Sequence, residues 1–184
     1  LLLSLFIIFS CAKDSSELTV YTSRQPQLIE PIVEQFTNET GIKVNLLSGN
    51  AQELMERIDI EGEDSPADIF MTVDAWVLWQ AAERDILAKI DSVILNENIP
   101  THLRDAKNEW FGLSKRARTI VFSSDQFKDN DFSTYEDLAD PKWKGKLCLR
   151  TSKKVYNRSL IASMIDTYGF DKSKEVVSGW VSNL

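Results

Sequence analysis

From Leu18 onward the chain alternates two kinds of segment. Short runs of β-branched and aromatic residues are followed by stretches in which apolar residues recur every three or four positions. Leu18–Thr22, Ile42–Leu47, Ile69–Val73, Thr119–Ser123 and Lys146–Leu149 read as strands. Leu28, Ile29, Ile32, Val33 and Phe36 share a helical face, and so do Leu54, Met55 and Ile58 in a helix ending by Gly62. Asp74 heads a helix carrying Trp76, Trp79 and Ala82. Leu160, Ile161, Met164 and Ile165 stripe a helix over Tyr156–Tyr168, and a last helix covers Lys172–Val181. Pro31 would interrupt its helix unless it lies in the first turn. Gly41 suits the residue after that helix. Ser133-Thr134-Tyr135-Glu136 fits a capping box. Alternating strands and helices predict an α/β fold with mostly parallel strands. In such sheets ligands collect at the carboxyl ends of strands, beside helix N-termini. That singles out the loops Thr22–Gln27, Thr72–Ala75 and Arg150–Asn157.

The chain has 184 residues and a net charge of −7, with a pI near 4.8. This length allows one domain or one and part of another. The acidic balance argues against nucleic acid and anionic membrane surfaces as main partners. Leu1–Ser10 is uncharged and too short to span a bilayer. It reads as a signal-peptide remnant, and Ile8-Phe9-Ser10-Cys11 resembles a lipobox whose cysteine becomes acylated. Residues 11–17 then form a polar tether. With Cys11 lipidated, Cys148 is alone, expects no disulfide, and fits a buried strand position. Only His102 joins these two cysteines, which excludes a Cys/His zinc site.

No GxSxG, HExxH, P-loop or GxGxxG motif occurs. Trp76 and Trp79, three apart on one helix face, read as core. Trp110, Trp143 and Trp180 are scattered and do not form a sugar platform. Glu61–Asp64 lacks the ligand spacing of a calcium loop and reads as a solvated turn. Lys115, Arg116 and Arg118 form a small cationic cluster. Tyr156 opens a helix beside Asn157.

Several segments, in order, resemble the ferric-iron-binding proteins of bacterial ABC importers. They are VYTSR (Val20–Arg24), FTNETGIKVNLLSG (Phe36–Gly49), SPADIFMTVDA (Ser65–Ala75), KRARTIVF (Lys115–Phe122), STYEDLADPKWKGKL (Ser133–Leu147) and VYNRSLIAS (Val155–Ser163). The resemblance implies a two-lobed type II periplasmic-binding-protein fold with the second lobe truncated. Residues 18–115 would form the first lobe, and 116–184 the crossing strand and incomplete second lobe. It further implies an extracytoplasmic, lipid-anchored monomer. Such a protein holds Fe(3+) between its lobes, with a synergistic anion such as carbonate, and delivers it to a permease and its ATPase subunit.

On that resemblance Tyr156 matches a tyrosine that ligates iron. Ferric ion is hard and favours oxygen donors. A phenol ionises at about pH 10 in water, and a bound trivalent ion favours the phenolate. Arg116 matches the cleft arginine beside the metal, and its planar fork suits a carbonate-like anion. Arg24 and Asp74 are further candidates for an anion or supporting role, although Asp74 also reads as a helix N-cap. The sequence departs from the family where relatives carry His-Tyr: here stand Gln25 and Pro26. The branch that uses a Glu near TVDA has Val73 at that position. The family's adjacent tyrosine pair is expected beyond Leu184. Two other readings stand beside this one. One is a carrier of the same fold for a polyamine, an oxyanion or a sugar. The other is an extracytoplasmic hydrolase, against which the lone His102 argues.

Overall fold

A computed structural model describes residues 17–128 and 131–184. The signal-peptide, tether and Cys11 expectations lie outside the described residues. Contacts divide the chain into two compact units, one ending at Ile90 and one beginning at Asp91, ahead of the boundary expected near 115. Within the second unit, residues 103–112 fold back on themselves: Arg104 bridges Phe111, and Gly112 N–H donates to the Leu103 carbonyl at 2.7 Å.

The first unit is α/β as expected. Strands β1 (Glu17–Thr22), β2 (Lys43–Ser48) and β3 (Ile69–Met71) form a parallel sheet in the order β2-β1-β3. Leu18 pairs with Val44, and Tyr21 with both Leu47 and Phe70. Helix α1 (Pro26–Thr40) connects β1 to β2, and α2 (Ala51–Glu61) lies between β2 and β3. Helix α3 (Ala75–Glu83) follows β3. Pro26 starts α1, where its missing N–H costs nothing. Pro31 lies inside α1, beyond its first turn, and the helix runs on through it. It is exposed, so water can reach the carbonyl its ring leaves unpaired. Gly41 closes α1 in the left-handed region, at φ 74°. The Asn50 side chain caps α2 by accepting from the Gln52 and Glu53 amides.

Two apolar clusters lie against the sheet. Tyr21, Leu54 and Ile58 form one; Met55, Val77 and Ala81 form the other. Tyr21 is 1% exposed. Its hydroxyl donates to Glu61, which also accepts from Arg57 Nε at 2.6 Å and Ser65 Oγ at 2.8 Å. Burial, and then the bond to Glu61, push the Tyr21 phenol up. Arg57 above all holds the Glu61 carboxyl down.

Trp76 and Trp79 were expected in the core and are each 44% exposed. Val77 and Ala81 make the buried face of α3. The two indoles fall on its flank and stack on each other at 5.0 Å.

In the second unit, helix α4 (Val93–Asn98) is a short element that the sequence pattern did not reveal, capped by Ser92. His102 is exposed. Helices α5 (Val155–Tyr168) and α6 (Phe170–Ser182) pack together. Leu138, Met164, Val176 and Trp180 make the core. The segments 119–123 and 146–149 were expected as strands and are not: neither joins a ladder among the described residues. Strand propensity is realised only where a neighbouring backbone supplies the complementary bonds. Cys148 is accordingly exposed rather than buried, while Leu147 beside it turns in against the core. In place of a ladder, α6 holds the turns before it by side chain to backbone bonds. Trp180 Nε1 donates to the Tyr135 carbonyl at 2.8 Å, and Asn183 Nδ2 to those of Leu138 and Asp140.

The capping box lies one residue later than expected. Thr134 Oγ1 accepts from the Asp137 amide, and Asp137 Oδ2 accepts from the Ser133 and Thr134 amides at 2.7 and 2.8 Å. It opens the 3-10 turn Glu136–Ala139.

Two predictions follow from this packing. An exposed helix-interior glycine replaced by alanine gains about 1 kcal/mol. At Gly179 the sign should reverse, because a Cβ there would stand 2.5 Å from the Ala139 Cβ. Gly179→Ala should lower stability by about 1–3 kcal/mol, the cost of overpacking, as read by denaturant unfolding. The second concerns acid. The Ser133 and Thr134 amides hold the Asp137 carboxyl below its usual range. A carboxyl depressed in the folded state stabilises above its unfolded pKa, and that contribution fades as pH falls through the folded value. Melting temperature should therefore drop below about pH 4, and Asp137→Asn should make that drop shallower; an unchanged acid limb would refute the linkage.

Candidate functional site

In the second unit the loop after Leu149 delivers the chain to the start of α5. Lys154 precedes the helix in extended backbone, without a side-chain cap, and the first turn carries no acidic residue. Tyr156 and Asn157 sit in the first turn, the partly positive end of the helix, where the Asn157 amide donates to the Lys154 carbonyl at 3.1 Å.

Tyr156 is half-buried, and three guanidinium groups surround it. Arg116 Nη2 donates to the Tyr156 hydroxyl oxygen at 2.8 Å. The guanidinium carbons of Arg116, Arg118 and Arg150 lie 5.0, 5.5 and 5.6 Å from the ring centre. Asn157 ties the group together. Its side-chain oxygen accepts from Arg118 Nη1 at 3.4 Å, and its amide nitrogen donates to the Arg150 carbonyl. A cation over an aromatic face is attracted by the ring's negative face, so each arginine gains from its place over Tyr156.

The structure thus brings Tyr156 and Arg116, the two leading sequence candidates, into direct contact. It adds Arg118, Arg150 and Asn157, which sequence reasoning had not assigned. The available signals were the position of Arg150 and Asn157 in a flagged loop and the clustering of Arg116 with Arg118. No Asp or Glu occurs between Asp140 and Asp166, so this stretch is strongly cationic in an acidic chain.

Arg24 and Asp74 belong to the first unit, at the carboxyl edge of its sheet. Arg24 N–H donates to Thr22 Oγ1, and the Val73 amide donates to Ser23 Oγ, which brings the loops after β1 and β3 side by side. Asp74 caps α3, accepting from the Trp76 amide at 2.9 Å. That is the N-cap geometry anticipated for it. Among the described residues no group of three or more His, Cys, Asp or Glu is placed to hold a metal ion. At this site the second unit offers the Tyr156 phenol oxygen, with the Asn157 side-chain oxygen engaged by Arg118. The arrangement sets a phenol oxygen among three guanidinium groups, one of which donates to it.

Comparison with known proteins agrees with the fold. Residues 21–175 match the bacterial extracellular solute-binding protein family. The chain is 45% identical over 170 residues to iron uptake protein A1 of Synechocystis, covering 92% of this chain and 47% of that protein. A Trichodesmium protein solved in complex with iron and citrate is 46% identical with a TM-score of 0.83, over 92% of this chain and 54% of that one. The ferric binding protein from Campylobacter jejuni is 38% identical with a TM-score of 0.86, over 91% and 53%. The chain spans about half the length of the relatives it matches. Its α/β fold is that of the type II periplasmic binding proteins. Both the sheet order and the extent of the match lead to one assignment: this chain belongs to the bacterial extracellular solute-binding proteins.

Proposed function

We propose that the protein of which this chain forms part captures ferric iron outside the cytoplasm and passes it to the permease of an ABC transporter. The observation that carries this reading is the Arg116–Tyr156 pair. A phenol oxygen is a hard donor suited to Fe(3+), and a guanidinium at 2.8 Å fixes where that oxygen points. The names of the relatives, an iron uptake protein and a ferric binding protein among them, favour iron over a polyamine, an oxyanion or a sugar. They also favour a carrier over a hydrolase.

In this reading Tyr156 is a direct iron ligand. Arg116 orients it and meets an accompanying anion of the carbonate kind. Arg24 and Asp74 serve at most in support, Asp74 being engaged as a helix cap. The remaining ligands lie outside this sequence. Closure around the ion would be a hinge motion. Cys11 is the proposed point of lipid attachment, and the carrier works as a monomer.

Ferric ion added to the iron-free full-length protein should produce a visible phenolate-to-iron charge-transfer band. Tyr156→Phe should weaken ferric binding by more than about tenfold and diminish the band, whereas Arg116→Gln should cost about 10–100-fold with the band retained. A wild-type protein that gives no band, or a band indifferent to Tyr156→Phe, would sink the ligand assignment.

A further inference from the structure

Asn157 is the third residue of α5, a position from which a side chain can reach back and cap the helix. It does not: α5 begins without a side-chain cap. Its side-chain amide engages two other segments of the chain instead. The oxygen accepts from Arg118 Nη1 at 3.4 Å, and the nitrogen donates to the Arg150 carbonyl. Chemistry fixes this orientation, since a guanidinium only donates and a carbonyl only accepts.

The two residues so held are ones that flank Tyr156. The guanidinium carbons of Arg118 and Arg150 lie 5.5 and 5.6 Å from its ring centre. One side chain, next in sequence to the phenol, therefore holds a guanidinium and a loop that both meet the ring. Side chains of similar size cannot replace it. A carboxylate has no donor for the Arg150 carbonyl, and leucine has neither donor nor acceptor. Arg158 Nε donates to the Ser152 carbonyl at 3.3 Å, a second tie on the same loop that does not involve Arg118. Asparagine is also a poor helix former, so this residue gives α5 neither propensity nor a cap.

We infer that Asn157 is a positioning residue for metal capture: it holds Arg118 and the Arg150 loop against the Tyr156 ring, and so sets the direction in which the phenol oxygen is presented. The inference rests on the iron reading for its consequence, because Tyr156 is the ligand through which Asn157 acts. Arg116 Nη2 meets the phenol oxygen itself, while Asn157 governs the neighbours of the ring. Groups that orient a metal ligand without touching the metal contribute to affinity through that ligand alone.

A double-mutant cycle on the full-length protein, read by ferric titration and by the charge-transfer band, tests this. Asn157→Leu should weaken ferric binding by about tenfold or more and lower the band's intensity per bound iron. In a Tyr156→Phe background the same change should cost less than about threefold, because the group it positions is gone. Arg158→Ala, which loosens the same loop without touching Arg118, should cost less than Asn157→Leu. Equal losses in both backgrounds would reveal a general effect on the fold and overturn the inference, as would no loss in either. Circular dichroism checks folding, and Asn157→Asp, which keeps the acceptor and loses the donor, enters the same cycle if Asn157→Leu is unstable. Iron-free protein gives a second reading by NMR. The Tyr156 ring resonances, identified by their loss in Tyr156→Phe, should move in Asn157→Leu; unmoved resonances refute the positioning. Wild-type protein that takes no iron refutes the iron reading, and the ring resonances then still decide whether Asn157 holds the ring.

Discussion

Strand β1 is the element on which the first unit depends. It pairs with β2 along its whole length and with β3 over its last three residues, so the ladder bonds of this sheet pass through it. Its burial pattern follows. Val20, Tyr21 and Thr22 are buried at the end where both neighbours are present, and Glu17 is exposed at the end where only one is. A buried tyrosine in a central strand needs a partner for its hydroxyl. Glu61 supplies it from the last turn of α2, and Arg57 and Ser65 complete the acceptor's surroundings. The sheet, α2 and the turn leading to β3 are thereby tied at one point. The two tyrosines at the centre of each unit's chemistry are thus handled oppositely. Tyr21 is buried against a carboxylate, which holds it neutral. Tyr156 faces three cations and keeps its oxygen within reach of solvent.

The second unit solves the same problem without a sheet among its described residues. The end of α6 satisfies carbonyls of the turns between Tyr135 and Asp140 through Trp180 and Asn183. Asn183 is 2% exposed and its amide spans two carbonyls. Buried polar groups of this kind stabilise only when fully partnered, so the turns and α6 stand or fall together. Gly179 fits this arrangement because the Ala139 backbone approaches α6 too closely for a side chain.

Much of the first unit was legible from the spacing of apolar residues, because β1, β2, α2 and α3 each bury one face and so imprint a period on the sequence. Asp74 as a cap and Gly41 as a helix end were legible for a local reason: both roles are decided within four residues. What was not legible depends on distant partners. Thr119–Ser123 and Lys146–Leu149 have strand composition, yet a strand exists only against another strand, and composition does not reveal whether one is present. Trp76 and Trp79 looked like core because tryptophan is large and apolar. Their exposure follows from Val77 and Ala81 claiming the inner face of α3. At the site, Tyr156 and Arg116 stood out through resemblance to a family, whereas the arrival of Arg150 over the same ring is a consequence of where Asn157 holds its loop.

The charge pattern connects fold to function. A chain with a net charge of −7 has no general need to place arginines on a helix N-terminus, and a folding argument alone would put an Asp or Glu there. Ring and amide contacts instead fix the guanidiniums of Arg118 and Arg150. The cost of ordering these long side chains is then met during folding, by contacts with Tyr156 and Asn157 rather than by a carboxylate on the helix itself.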